Sequence, residues 1–205
     1  MERKFWFLLI PFFICGFTTT GLMDTHLIPF AQNCGFSSLV TSAAVSTLAA
    51  FNIIGTLVSG ILADRWNNKK ILTFLYFARA ITIIFLLLFS SEIGLMKIFL
   101  NYPVLLLLFS ISFGLVDFAT VAPTIKLLSE YYKGQSVGLL TGWLFMSHQV
   151  GSALGSYIPG VLFDQTNSYQ LSFFIAFVLL ILAGILSALL PNASVQAQSG
   201  NLLQQ

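Results

Sequence analysis

Charge is scarce in this chain. Asp, Glu, Lys and Arg together make up 8% of its 205 residues, against about 25% in soluble domains. The net charge is only +2, and the cations lie in loops rather than along one face, which excludes a nucleic-acid partner. Cysteine is nearly absent as well. Cys15 and Cys34 form neither a CxxC pair nor a metal-ligand spacing, so both read as small apolar packing residues, and no metal or cofactor is expected. Strict alternation of apolar and polar residues, the mark of a membrane β-barrel, is also missing. What fills the chain is hydrocarbon: 57% apolar residues, 21 of them Phe. A water-soluble fold of this length could not bury so much apolar surface, so the expected solvent is the bilayer.

Crossing the hydrocarbon core takes about 20 mostly apolar residues as a helix, and lipid offers no partner for free backbone groups. Six segments qualify: 5–30, 37–63, 71–90, 103–130, 137–162 and 170–190. Those longer than 24 residues imply tilt or projection beyond the membrane. Arg3 and Lys4 before an apolar stretch imitate a signal peptide. The apolar run continues to Phe30, however, past the 7–15 residues of an h-region, so the first span is expected to remain uncleaved. The polar tail 191–205 is expected to be disordered and cytoplasmic, with its Asn192-Ala-Ser194 sequon incidental.

Short loops fix orientation through their Lys and Arg. With the N-terminus inside, the cytoplasmic side receives Arg3, Lys4, Arg65, Lys69, Lys70 and Lys133, with Lys126 near that face; the outer side receives only Lys97. Both termini are therefore expected in the cytoplasm. Spans 1–3 and 4–6 share a layout: the second and fifth are rich in small residues and each has a basic segment at a cytoplasmic end. That is the pattern of a 3+3 inverted repeat.

The densest charge cluster reads Gly60-Ile-Leu-Ala-Asp64-Arg65-Trp-Asn67-Asn-Lys69-Lys70. It resembles the cytoplasmic signature loop of the major facilitator superfamily: Gly, three residues, Asp, a cation, any residue, Gly, any residue, two cations. Gly60, Asp64, Arg65, Lys69 and Lys70 match, and Asn67 stands at the second glycine, where Asn tolerates a left-handed backbone. Gly60 would permit close helix approach, and Asp64 would suit a helix N-terminus. The loop cations would hold that carboxylate or meet anionic headgroups.

The region Pro123–Tyr169 carries Glu130-Tyr-Tyr-Lys133-Gly134, glycines at 138, 142, 151, 155 and 160, then Leu162-Phe-Asp164-Gln-Thr-Asn167-Ser168-Tyr169. It resembles the last helices of the oxalate/formate and monocarboxylate antiporter-like members, with Asn167 at a position those members fill with glycine. Asp24-Thr-His26-Leu and Phe51-Asn52-Ile-Ile-Gly55 suit the opening of their C-terminal half. The resemblance covers nearly the whole chain but only half of a twelve-span member. It implies an all-α, six-span half of a secondary active transporter, moving a small organic solute, with carboxylates the candidate class, by alternating access. The alternative is a non-transporting truncated or split fragment that needs a second half. Gly138-xxx-Gly142 and Gly151-xxx-Gly155 allow close backbone approach, either within the chain or against a second six-helix half or second copy.

Ionisable residues inside the membrane cost about 2.5–3.5 kcal/mol at mid-bilayer and need a partner or a wet path. Candidates are Asp24, His26, Arg79, Asp117 and His148, with Asn52 and Gln149 as neutral companions. Arg79 and Asp117 either pair structurally or serve as anion and proton sites. Asp24 and His26 sit at headgroup level or form an outer gate. His148 either packs or faces the substrate path. An intramembrane protease is disfavoured, because Ser59 lies at the membrane boundary and Gly151-Ser152-Ala-Leu-Gly155 places its serine wrongly; the chain is not expected to be an enzyme.

Overall fold

The computed structural model describes residues 2–89 and 103–191. The outer-loop cation Lys97, the end of the third expected span at 90 and the tail from 192 onward lie outside them. Among the described residues the chain is all helix and connecting turns. We label the helices α1 (Arg3–Asn33), α2 (Ser38–Arg65), α3 (Asn68–Phe89), α4 (Pro103–Tyr131), α5 (Val137–Thr166) and α6 (Gln170–Ala188). The fifth runs past its expected end at 162 to Thr166. Five of the six are long and apolar enough to cross a bilayer. The sixth, α5, has 30 residues, but its His148, Gln149, serines and glycines dilute the hydrocarbon.

Turn chemistry accounts for the joints. Gly35, with φ +87°, ends α1, and the Ser37 hydroxyl accepts the Val40 N–H at 3.4 Å to start α2. Asn167 closes α5 at φ 52°, the left-handed position that glycine otherwise takes. Asn67 does something different from the expected left-handed turn. Its side chain accepts the Lys70 N–H at 3.3 Å and so caps α3.

Packing follows a simple rule of exchange. α1 packs on α5, α4 packs on α2, and α3 packs on α6. Swapping α1 with α4, α2 with α5 and α3 with α6 leaves that set of pairs unchanged. Three crossings per unit force the two units into opposite orientations, so the fold is a 3+3 inverted repeat. The first helix of each unit is also the irregular one. α1 contains a π-helical stretch, Phe17–Met23; α4 breaks after Val116 into a 3₁₀ turn, Phe118–Thr120, before resuming at Val121.

Missing side chains let the paired helices touch. A Cβ on Gly151 would collide with the Phe13 carbonyl, on Gly155 with that of Phe17, and on Gly16 with that of His148. In the second unit Gly55 meets the Leu115 carbonyl, and Gly114 meets that of Leu48. Gly60, Gly138 and Gly142 behave otherwise: among the described residues a Cβ on any of them would meet nothing within 4 Å. Close contact at Gly60 and at the 138/142 pair is therefore not made among the described residues. These residues lie on the more open helices α2 and α5, which also expose Ile53, Leu57, Leu139, Trp143 and Met146.

Candidate functional site

The polar residues fall into a central cluster, an outer-end cluster and a basic rim. The central cluster is built on Arg79, which α3 carries into the protein with no exposed surface. Its Nη1 donates to the Cys15 sulfur of α1 at 3.3 Å. Its Nη2 donates to the carbonyls of Val116, at 2.7 Å, and Asp117, and to the Thr120 hydroxyl at 3.4 Å. Those two carbonyls are available because α4 breaks there. A guanidinium, planar and rich in donors, satisfies acceptors that the interrupted helix leaves open.

Of the two readings of Arg79 and Asp117, the structural one would need a salt bridge, and none joins them among the described residues. Arg79 takes the Asp117 backbone, while the Asp117 carboxylate turns toward α2 and accepts the Asn52 Nδ2–H at 3.3 Å. Asn52 Oδ1 in turn accepts the Phe118 N–H at 3.3 Å. One carboxylate oxygen of Asp117 and Nε of Arg79 are buried without a hydrogen-bond partner. Beside them, Asn52 and Thr56 line a groove of about 560 Å³ with Phe118 and Val121. Asn52 thus joins a fully buried acid to an open surface.

Sequence reasoning passed over Cys15 as apolar filling. In the structure its sulfur lies between Arg79 and the Thr120 hydroxyl, 3.3 Å from each. A usable signal was present in the polar run Cys15-Gly-Phe-Thr18-Thr19-Thr20 inside an apolar span. Thr18 and Thr19 return their hydroxyls to the carbonyls of Ile14 and Cys15 at 2.8 Å, which accompanies the π-helical turn. His148 on α5 is buried against the Phe12 ring, with centroids 5.0 Å apart, and its Nδ1 lies 3.4 Å from Gln149 Oε1. Gln149 itself is exposed.

At the opposite end of α1, His26 is buried and Asp24 exposed. His26 Nε2 lies 2.8 Å from the Ser156 carbonyl and Nδ1 lies 3.3 Å from the Tyr169 hydroxyl. A carbonyl only accepts, so Nε2 carries the proton there, and in the neutral ring Nδ1 accepts from Tyr169. This ring, the Tyr169 ring and Phe163, stacked on Tyr169 at 4.6 Å, tie α1, α5 and α6 together.

On the basic rim, Asp64 lies in the last turn of α2, not at a helix N-terminus. Its partner is Lys126 of α4 at 2.6 Å rather than a cation of its own loop. That pairing makes sense of the placement: a carboxylate at a helix C-terminus is opposed by the macrodipole and gains from an external cation.

A break at an acidic residue, a basic rim and a 3+3 repeat meet here in one six-helix unit, and comparison with known proteins identifies that unit. The model of the Major Facilitator Superfamily matches residues 12–202. The chain belongs to the major facilitator superfamily. Among its relatives, "Uncharacterized MFS-type transporter YcxA" of Bacillus subtilis (strain 168) is 35% identical over 160 residues, covering 78% of this chain and 37% of that protein. "Monocarboxylate transporter 12" of Mus musculus is 25% identical over 195 residues, 91% of this chain and 38% of the relative. "Monocarboxylate transporter 12-B" of Danio rerio is 27% identical over 191 residues, 90% and 39%. The chain thus spans well under half the length of these relatives. As a major facilitator protein it is a multi-pass membrane protein of a transporter family, and its six helices form one half of that fold.

Proposed function

We propose that this chain is half of a secondary active transporter for a small organic anion, a monocarboxylate in first place, working by alternating access in the plasma membrane with both termini in the cytoplasm. The observation that carries the reading is the Asp117 carboxylate: buried at the break of α4, one oxygen unpartnered, the other held by Asn52 at the edge of a groove. Discontinuous membrane helices supply polar groups at mid-depth in many transporters, and a buried acid needs a functional or structural reason. In this reading Asp117 takes up and releases a proton. Asn52, His148 and Gln149 border the solute path, and Asp24 and His26 belong to the outer gate. Arg79, enclosed by carbonyls and Cys15, holds the broken turn in place and acts on the anion only through it. The relatives' names support the solute class.

In this reading a second six-helix half, or a second copy, docks on the open faces of α2 and α5, where a Cβ on Gly138 or Gly142 would meet nothing within 4 Å among the described residues. A companion reading is that these six helices fold but do not transport until a second half is present. Co-expression with a six-span N-terminal half from this superfamily, followed by uptake of a radiolabelled monocarboxylate, tests both. Uptake is expected only with the second half present, and Asp117→Asn and Asn52→Ala should each lower it about tenfold or more while the protein still reaches the membrane. Uptake at vesicle background in every combination would count against transport.

A further inference from the structure

The exposed ends of α2 and α3 diverge around a groove that the transport reading does not use. Residues Val58 and Leu62 recur at helical spacing along one face of α2, and Ile71 with Leu75, four residues on, does the same along α3, with Phe74 beside them. Leu115 and Ala119 of α4 also line it, and the half-open space is about 840 Å³. The walls are dry, since Ser59, the hydroxyl within them, is turned away to donate to the Ala119 carbonyl. Only the mouth is polar. It carries Trp66, Asn67 and Lys70.

Length and charge both point to one occupant. From Gly55 at the deep end to Trp66 at the mouth, eleven residues at 1.5 Å each give about 16 Å. That is half the roughly 30 Å hydrocarbon core, or one leaflet. The Lys70 side chain is exposed and joins no ion pair among the described residues. It stands in the first turn of α3, whose 22 residues direct a positive dipole end toward the same mouth. Trp66 is exposed at that level, as suits a side chain at the headgroup boundary. We propose that the groove binds an anionic phospholipid from the leaflet on the basic side. One acyl chain would lie between α2 and α3, with the phosphate held between Lys70 and the N-terminus of α3.

The test is native mass spectrometry of the full chain equilibrated with dioleoyl phosphatidylglycerol or dioleoyl phosphatidylcholine, which share chains and differ in charge. One phosphatidylglycerol should be retained in preference to phosphatidylcholine. Lys70→Gln should reduce that preference about fivefold, the effect of one cation at an anionic surface. Val58→Trp, which fills the groove from a half-exposed wall position, should abolish retention of both lipids, and Leu62→Trp is the substitute if that variant does not fold. Lys133→Gln, in another loop, should change nothing. Equal retention of the two lipids overturns the proposal, as does retention that survives the filled groove or falls equally with Lys133→Gln. A dimer that Val58→Trp dissolves, with no lipid retained, would overturn it in favour of a second copy.

Discussion

Two glycines four residues apart look alike in any sequence, yet the two such pairs in α5 meet different surroundings. Gly151 and Gly155 rest on the carbonyls of Phe13 and Phe17, while a Cβ added at Gly138 or Gly142 would meet nothing within 4 Å among the described residues. Gly155→Leu must therefore push α1 away against backbone that cannot yield, at a cost of about 1–3 kcal/mol or more. Gly142→Leu should leave the chain's own melting temperature within experimental error and disturb only assembly with a second half. Thermal unfolding of both variants in detergent checks this; equal losses would mean that the open face is already covered. Arg79→Lys is the matching polar test. An ammonium cannot span the Cys15 sulfur, two carbonyls and Thr120 together, and each charged hydrogen bond lost costs roughly 1.5–3 kcal/mol. Arg79→Lys should therefore destabilise clearly, whereas Cys15→Ser, which keeps a polar atom in place, should destabilise much less.

Helix positions and their pairing differ in how readable they were. Six apolar spans, their helical nature and the repeat of layout followed from hydrophobic length and from the position of basic loops, because lipid permits few alternatives. The interruption of α4 at Asp117 and the π-helical turn of α1 did not follow. The break in α4 contains no glycine or proline, the π-helical stretch of α1 has Gly21 set against α5, and both depend on partners far away in sequence: Arg79 for one, α5 for the other. The same limit applied to Asp64. Its charge and loop were legible, but Lys126, 62 residues away, was not, since proximity across helices depends on the fold. The Asp64–Lys126 pair joins the basic-rim ends of α2 and α4, and both side chains are exposed, so its contribution is small and screened by salt. Asp64→Lys should lower thermal stability modestly at low ionic strength, and the exchange Asp64→Lys with Lys126→Asp should recover most of the loss. At high salt the single variant should approach the wild type, because the attraction removed is electrostatic.

Every assignment of inside and outside depends on the whole chain crossing in one sense, and the two thiols offer a direct measurement of it. Cys15 is sealed in the central cluster, while Cys34 lies in the turn between α1 and α2, partly accessible. If the basic rim is cytoplasmic, Cys34 is external. Burial pushes the Cys34 thiol up to about 11, and only the thiolate attacks a maleimide. At pH 7 labelling should be slow. Its rate should rise about tenfold per pH unit on approach to the raised value, because the fraction deprotonated grows by that factor well below a pKa. A membrane-impermeant maleimide added to intact cells should therefore label the wild type increasingly from pH 7 to pH 9, and Cys34→Ser should remain unlabelled throughout. In that thiol-free surface background, Ser136→Cys, in the turn between α4 and α5, should react only after permeabilisation. The opposite result, Ser136→Cys labelled in intact cells and Cys34 protected, would turn the molecule over and place the Asp64–Lys70 loop outside, where the anionic inner leaflet could no longer attract it.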